Sequence, residues 1–207
     1  MNRIFLVRHA ESQANTQGVY QGQTYDTQLS PLGFLQAKAL AGYLEPIRFD
    51  NIYVSPLIRT LQTIDLIVKK QNTSPVLDRR ILETNHGRWE GRTKVEIARF
   101  WPGIYQSWLN FPSRTAFPGG ERFLETQIRV LRFWQEISAK EGNTLVVTHD
   151  NIIRVILAKI HNLDLDQIWK FELHPASVTV FEENHIKLHN HTGHLTGLMA
   201  NLSLHAL

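Results

Sequence analysis

Short apolar runs at Ile4 to Val7, Asn51 to Val54 and Thr144 to Val147 are too brief for helices and lack the alternation of a half-solvated strand. They predict strands buried on both faces of a parallel sheet. Between them the spacing becomes helical. Ser30-Pro31 offers an N-cap with proline at the first helical position, and Leu32, Leu35, Ala39, Leu40 and Tyr43 recur along a helix ending near Pro46. Ser55-Pro56 predicts a second cap, followed by an apolar stripe of Leu57, Leu61, Ile64 and Val68. A longer helix from about Glu121 to Ala139 precedes the third strand, and one from Ile152 to Ile160 follows it. Val178 to Phe181 and Ile186 to Leu188 flank Glu183-Asn184-His185 and predict a hairpin at the sheet edge. This order predicts an α/β fold of three layers: an open, mostly parallel sheet with helices on both faces.

From Glu83 to Phe117 the periodicity fails. Gly87, Gly91, Pro102, Gly103 and Pro112 interrupt a stretch that holds three of the five tryptophans, Trp89, Trp101 and Trp108. Loops with one or two short helices are expected there, as a cap-like insertion at about 84–120 within a single domain spanning 1–207. Substrate choice should lie in the stretch from Arg88 to Arg122, which carries Arg92, Arg99 and Arg114, although Trp101, Trp108 and Phe111 are expected to be core of the cap.

Composition narrows the classes. Of 207 residues, 43% are hydrophobic and 20% charged, which suits a folded chain and excludes a disordered or collagen-like one. Twenty-two Lys and Arg against 19 Asp and Glu leave +3, and no basic run exceeds two residues, so no nucleic-acid partner is expected. With no cysteine there is neither a thiol nucleophile nor a zinc ribbon. The first apolar run is too short for a signal-peptide core and nothing approaches a membrane span, so a cytoplasmic protein is expected. Five of the ten histidines, His185, His189, His191, His194 and His205, crowd the tail. His189 and His191 would share one strand face, as in a metal site, but no carboxylate completes it, and a solvated polar face is expected. The segment Gly87 to Thr93 lacks the spacing and the lysine of a phosphate loop.

Candidate chemistry comes from the strand ends. Arg8-His9 follows the first strand, Arg59 follows the second and His149 the third. In a parallel sheet all carboxyl ends open on one edge, so two guanidinium and two imidazole groups converge in one crevice. Guanidinium forks match phosphate oxygens, and helix N-termini after Ser55-Pro56 and after His149 would add backbone N–H groups. A phosphoryl group is the expected ligand.

Leu6-Val7-Arg8-His9-Ala10-Glu11-Ser12 with Asn15 resembles the signature of the histidine phosphatase superfamily, phosphoglycerate mutase-like branch. Further similar blocks follow in order: Gln21-Gly22, Leu29 to Gly33, Ser55 to Thr60, Leu82-Glu83, Gly87 to Gly91, Pro118 to Glu121, and Val147 to His149. Ala10 and Asp150 stand where that family usually has glycine. The resemblance implies a metal-independent phosphomonoester hydrolase that needs no cofactor and takes a small phosphate ester. His9 would be the nucleophile forming a phosphohistidine, and Arg8, Arg59 and His149 would hold the phosphoryl oxygens. Asn15, Gln21, Gly22 and Asp150 would contact substrate, and Glu83 would be the proton donor and later the base. Ala14-Asn15 and Glu83 to Gly87 depart from the mutase pattern, which favours hydrolysis. The alternatives are mutase-type phosphotransfer and a binding module without turnover. A metal-dependent hydrolase built on the His-rich tail ranks last. The sequence leaves the oligomeric state open.

Overall fold

The computed structural model describes residues 2–71, 73–183 and 185–206; Asn184, in the predicted hairpin turn, lies outside them. The elements in chain order are β1 (Asn2–Arg8), α1 (Gln13–Gln17), α2 (Pro31–Leu44), β2 (Asn51–Val54), α3 (Ile58–Val68), β3 (Val76–Leu77), α4 (Lys94–Phe100), α5 (Pro102–Asn110), α6 (Phe123–Ser138), β4 (Gly142–Thr148), α7 (Asp150–Ile160), β5 (Val178–Glu182) and β6 (His185–His191). The strands form a six-stranded sheet in the order β3-β2-β4-β1-β5-β6. β1, β2, β3 and β4 run parallel, and β5 is antiparallel to both β1 and β6.

The apolar runs serve two cores because successive strand residues point to opposite faces. Ile4, Leu6, Tyr53 and Val146 join one cluster with α6 and α7, including Val130, Phe133, Ile152 and Ile156. Phe5, Val7, Ile52, Val54, Leu145 and Val147 join the other with α2 and α3, including Leu40, Leu44, Ile64 and Ile67. The expected three-layer arrangement follows from this division. Register then places the future site: Arg8 is opposite Thr148 and Val54 opposite Val147, so β1, β4 and β2 end level with one another.

Residues 84–120 hold two short helices, α4 and α5, and irregular chain. Trp89, Trp108 and Phe117 are buried with the α6 and α7 core, so the cap shares that core. Trp108 behaves as expected, Trp101 is only partly buried, and Phe111 is half exposed because it caps the end of α5.

Three expectations from periodicity need correction. The buried face of α2 is Gly33, Gln36, Ala37, Leu40, Ala41 and Leu44, whereas Leu35 is exposed. Polar anchors rotate the helix: the Gln36 side chain accepts from the Glu11 N–H at 2.9 Å and donates to the Leu198 carbonyl at 2.8 Å. In α3 the buried stripe is Thr60, Thr63, Ile64 and Ile67, and Leu61 faces outward. His189 and His191 do not share a face. His189 lies against Phe171 and His191 against Tyr43, on opposite sides of the sheet, because Asn190 at φ 48° breaks the alternation. His205 is no solvated tail residue either; it is buried. Among the described residues no helix is long and apolar enough to cross a membrane.

At Gly33 a side chain has no room, since a Cβ would stand 2.0 Å from the Glu11 carbonyl oxygen. Gly33→Ala is therefore expected to push α2 off the loop that follows β1 and to cost about 1–3 kcal/mol in urea unfolding. An unchanged midpoint would mean that the contact relaxes freely.

Candidate active site

The level strand ends bring the predicted residues together. The His9 N–H donates to the Thr148 carbonyl at 2.9 Å and the Ser55 N–H to the Val147 carbonyl at 3.1 Å, carrying the ladder just past the strands. The His9 and His149 rings lie 5.3 Å apart. Arg59 enters from the first turn of α3, and Glu83 from the irregular chain before the cap. Arg8, His9, Asn15, Gln21, Arg59, Glu83 and Asp150 line one pocket, with Val19, Tyr20 and Ala206 completing its wall. Two predicted residues do not line it. His149 is buried behind, beside His9, and Gly22 contributes its carbonyl to the Arg59 guanidinium at 3.1 Å. A Cβ on Gly22 would meet Glu90 Oε1 at 2.0 Å, so its glycine serves close packing.

Arg8 and Arg59 are 3% and 1% exposed, an unusual state for cations that must be matched by nearby acceptors. Arg8 donates to the Leu173 carbonyl at 2.5 Å and lies 3.0 Å from Asp150 Oδ2. Arg59 donates to Asp26 Oδ1 at 2.8 Å. Burial lowers the pKa of both guanidinium groups, with Asp150 and Asp26 opposing that shift. Both stay charged at any physiological pH. Arg8 Nε and Arg59 Nε are buried donors with no hydrogen-bond partner among the described residues, a pair suited to a ligand rich in acceptors, and His149 Nδ1 is buried and unpartnered among them as well.

Burial drives the imidazoles the other way from a charged state. His9 and His149 are both held well below the ordinary histidine range, first by desolvation and then by Arg59 and other cations nearby. His9 Nδ1 lies 2.7 Å from the Ala10 carbonyl, which fixes it as the protonated nitrogen and leaves Nε2 with its lone pair. His149 Nε2 lies 2.7 Å from Ser55 Oγ. Glu83 moves up, to about 7, because burial outweighs the Thr84 N–H bond and the Arg59 charge. One pocket therefore holds an unprotonated imidazole and a carboxyl that is partly protonated near neutrality.

The neutral donors are oriented by their neighbours. Asn15 Oδ1 accepts from the Ser12 N–H at 3.0 Å, which leaves its NH₂ end for the pocket. Gln21 Nε2 donates to Ser12 Oγ at 2.6 Å. Asp150 is buried at the first position of α7, and its carboxylate pairs with Arg8 and Arg154. Burial pushes that carboxyl up, but Arg154 and Arg8 outweigh it and hold it below the usual range.

The α3 N-terminus differs from the sequence expectation. Its cap is Leu57, without a side-chain bond, and Asp26 accepts from the Ile58 N–H at 2.6 Å in place of a ligand. Ser55 is instead the partner of His149. Asp26 was invisible to motif reading; its only signal is an acidic residue in the loop that holds Gln21-Gly22. The Glu90 carboxylate was also missed, and it accepts from the N–H groups of Gln23, Thr24 and Tyr25 to hold that loop. The buried His86 donates from Nδ1 to the Gln21 carbonyl at 2.7 Å and packs against Tyr20 and Phe117. At the far end of the chain, His205 Nε2 lies 3.7 Å from Glu11 Oε2, beside the wall formed by Ala206. Among the described residues no cluster of three or more His, Cys, Asp or Glu is placed to hold a metal ion.

Asp26→Ala removes the cap of α3 and the partner of Arg59 together. Expected are a loss of about 1–2 kcal/mol in stability and weaker binding of inorganic phosphate in calorimetry. Retention of both would show that Arg59 holds its place without Asp26.

Comparison with known proteins agrees with the geometry. The profile of the histidine phosphatase superfamily (branch 1) matches residues 4–192. Phosphoserine phosphatase 1 of Hydrogenobacter thermophilus is 36% identical over 87% of this chain and 86% of its own. The adenosylcobalamin/alpha-ribazole phosphatase of Escherichia coli is 28% identical over 83% of this chain and 85% of its own. The solved structure of Bacillus stearothermophilus YhfR superposes with a TM-score of 0.87 at 29% identity, covering 94% of this chain and all of that one (100%). The chain belongs to the histidine phosphatase superfamily, branch 1, and is a phosphatase whose reaction runs through a phosphohistidine.

Proposed function

We propose that the chain hydrolyses small phosphomonoesters with His9 as nucleophile and Glu83 as the proton-transfer group, and that a phosphorylated amino acid of the phosphoserine type is its substrate. The observation that carries the chemistry is the pairing of a neutral His9, whose Nε2 is free, with a Glu83 carboxyl raised to about 7 in the same pocket. His9 Nε2 attacks phosphorus as the P–O ester bond breaks, and Glu83 gives its proton to the departing oxygen. Water then attacks the phosphohistidine, Glu83 takes a proton from it, and the P–N bond breaks to release phosphate and restore the imidazole. Arg8 and Arg59 line the pocket and bind the transferring oxygens, each with a buried Nε that has no partner among the described residues, and His149 stands behind them beside His9, so the charge stabilisation comes from the protein itself. No step is routed through a metal. The substrate class rests on the relative named phosphoserine phosphatase, at 36% identity over most of both chains.

The test is turnover of L-phosphoserine, 3-phosphoglycerate and p-nitrophenyl phosphate in excess EDTA, for wild type and His9→Ala. Hydrolysis that survives chelation and is lost in His9→Ala is expected, with L-phosphoserine preferred. Interconversion of phosphoglycerates without net phosphate release would instead favour the mutase chemistry.

A pH profile tests Glu83. A carboxyl near 7 is protonated below that value, so kcat/KM for L-phosphoserine is expected to fall as pH rises through about 7. His9, held well below the ordinary range, stays neutral at the acid end of that window. Glu83→Gln should remove the alkaline limb and slow L-phosphoserine by about 100-fold or more, with a smaller effect on p-nitrophenyl phosphate. An unchanged limb would assign the titration elsewhere.

A further inference from the structure

We infer that Arg154 is a positioning residue for the phosphate site: acting through Asp150, it fixes the Arg8 guanidinium and cancels the negative charge that Asp150 brings into the pocket. The inference rests on phosphate binding between Arg8, His9 and Arg59, as proposed above. A carboxylate in that wall poses a physical problem. Asp150 is 2% exposed and lines the pocket that receives the phosphoryl group, where an unmatched negative charge would repel a phosphate dianion and compete for Arg8.

Arg154 answers it from one helical turn away. Its Nε donates to Asp150 Oδ1, and its NH1 donates to the carbonyls of Ile168, at 3.0 Å, and Phe171. The guanidinium also lies over the Trp169 ring, 5.2 Å from its centroid. Arg154 is thus held by a carboxylate, two carbonyls and an aromatic face, with little freedom left. Asp150 Oδ2 then faces Arg8 NH1 at 3.0 Å, while the same NH1 donates to the Leu173 carbonyl at 2.5 Å. The Arg8 head is fixed from two sides, with its Nε left without a partner among the described residues. Asp150 and Arg154 together add no net charge, so the pocket keeps the cationic character of Arg8 and Arg59.

The test is a double-mutant cycle of Asp150→Asn and Arg154→Met, read as KM and kcat for p-nitrophenyl phosphate and as competitive inhibition by inorganic phosphate. Arg154→Met leaves the carboxylate with Arg8 alone. Its KM and its inhibition constant for phosphate are expected to rise about 30-fold or more, with a smaller change in kcat. Adding Asp150→Asn removes the surplus charge and should recover about tenfold or more of that loss, a sign reversal that only coupled residues give. Arg154→Lys, which keeps the charge without the fork, should fall between wild type and Arg154→Met. If Arg154→Met does not fold, the lysine variant and its combination with Asp150→Asn read the same coupling. A double variant no better than Arg154→Met would show that Arg154 only secures residues 168–171, and would overturn the inference while wild-type turnover leaves the phosphate site standing. A wild-type protein that neither hydrolyses p-nitrophenyl phosphate nor binds phosphate would overturn both.

Discussion

Two guanidinium groups withdrawn from water are the constraint around which this molecule is arranged. Removing Arg8 and Arg59 from solvent costs far more than a fold of this size could leave unmatched. Each is therefore given one carboxylate and one backbone carbonyl: Asp150 and Leu173 for Arg8, Asp26 and Gly22 for Arg59. These partners come from three separate parts of the chain. The loop after α1, the start of α7 and the segment before β5 are drawn to the sheet edge by this need. Neither cation is fully saturated, since each keeps a buried Nε without a partner among the described residues. A site that is stable yet still short of acceptors is preorganised for an anion, and the reorganisation is made during folding instead of during turnover.

The same burial sets the protonation states. Low polarity around the pocket disfavours every charged form, and the fixed cations decide which groups escape that rule. For His9 both effects act in one direction, so the ring is neutral. For Glu83 they oppose each other, burial raising the carboxyl and Arg59 lowering it, and the balance falls near neutrality. Asp150 shows the opposite resolution, because two guanidinium groups touch it and overcome its burial. Glu83 and Asp150 share a pocket and a degree of burial, yet differ in state because only one of them has direct ion pairs.

Much of this was legible in the residues. The apolar runs gave β1, β2 and β4, and parallel topology then required Arg8, His9 and His149 to meet at one edge. What periodicity could not supply was the rotation of helices about their axes. Gly33 and Gln36 turn α2 away from its Leu35 face because they meet the loop after β1, a contact distant in sequence. The partners of the cations were hidden for the same reason. Asp26 belongs to no motif and acquires its role only when α3 arrives beside it. Asp150 was visible as a carboxylate where the family usually has glycine, and Arg154 stood in the predicted helix that follows. Their pairing, and the anchoring of Arg154 on Ile168 and Phe171, is a tertiary fact. The tail misled in two ways. A single left-handed residue, Asn190, separates His189 from His191, and His205 folds back to Glu11.

Responsibility for the pocket is divided between the sheet and the cap. The cations and imidazoles sit at strand ends and first helical turns, where register fixes them to one another. Tyr20, which completes the wall, is held differently: its N–H donates to the Arg92 carbonyl and its own carbonyl accepts from Gly91, both at 2.8 Å. Its ring packs edge-on to His86 and Trp89, and these in turn meet Phe117 and Trp108. A change in that aromatic cluster reaches the pocket by moving Tyr20, while Arg8 and His9 stay at the end of β1. Shape can then vary without disturbing charge, because the aromatic cluster and the strand-end residues are held by different parts of the fold.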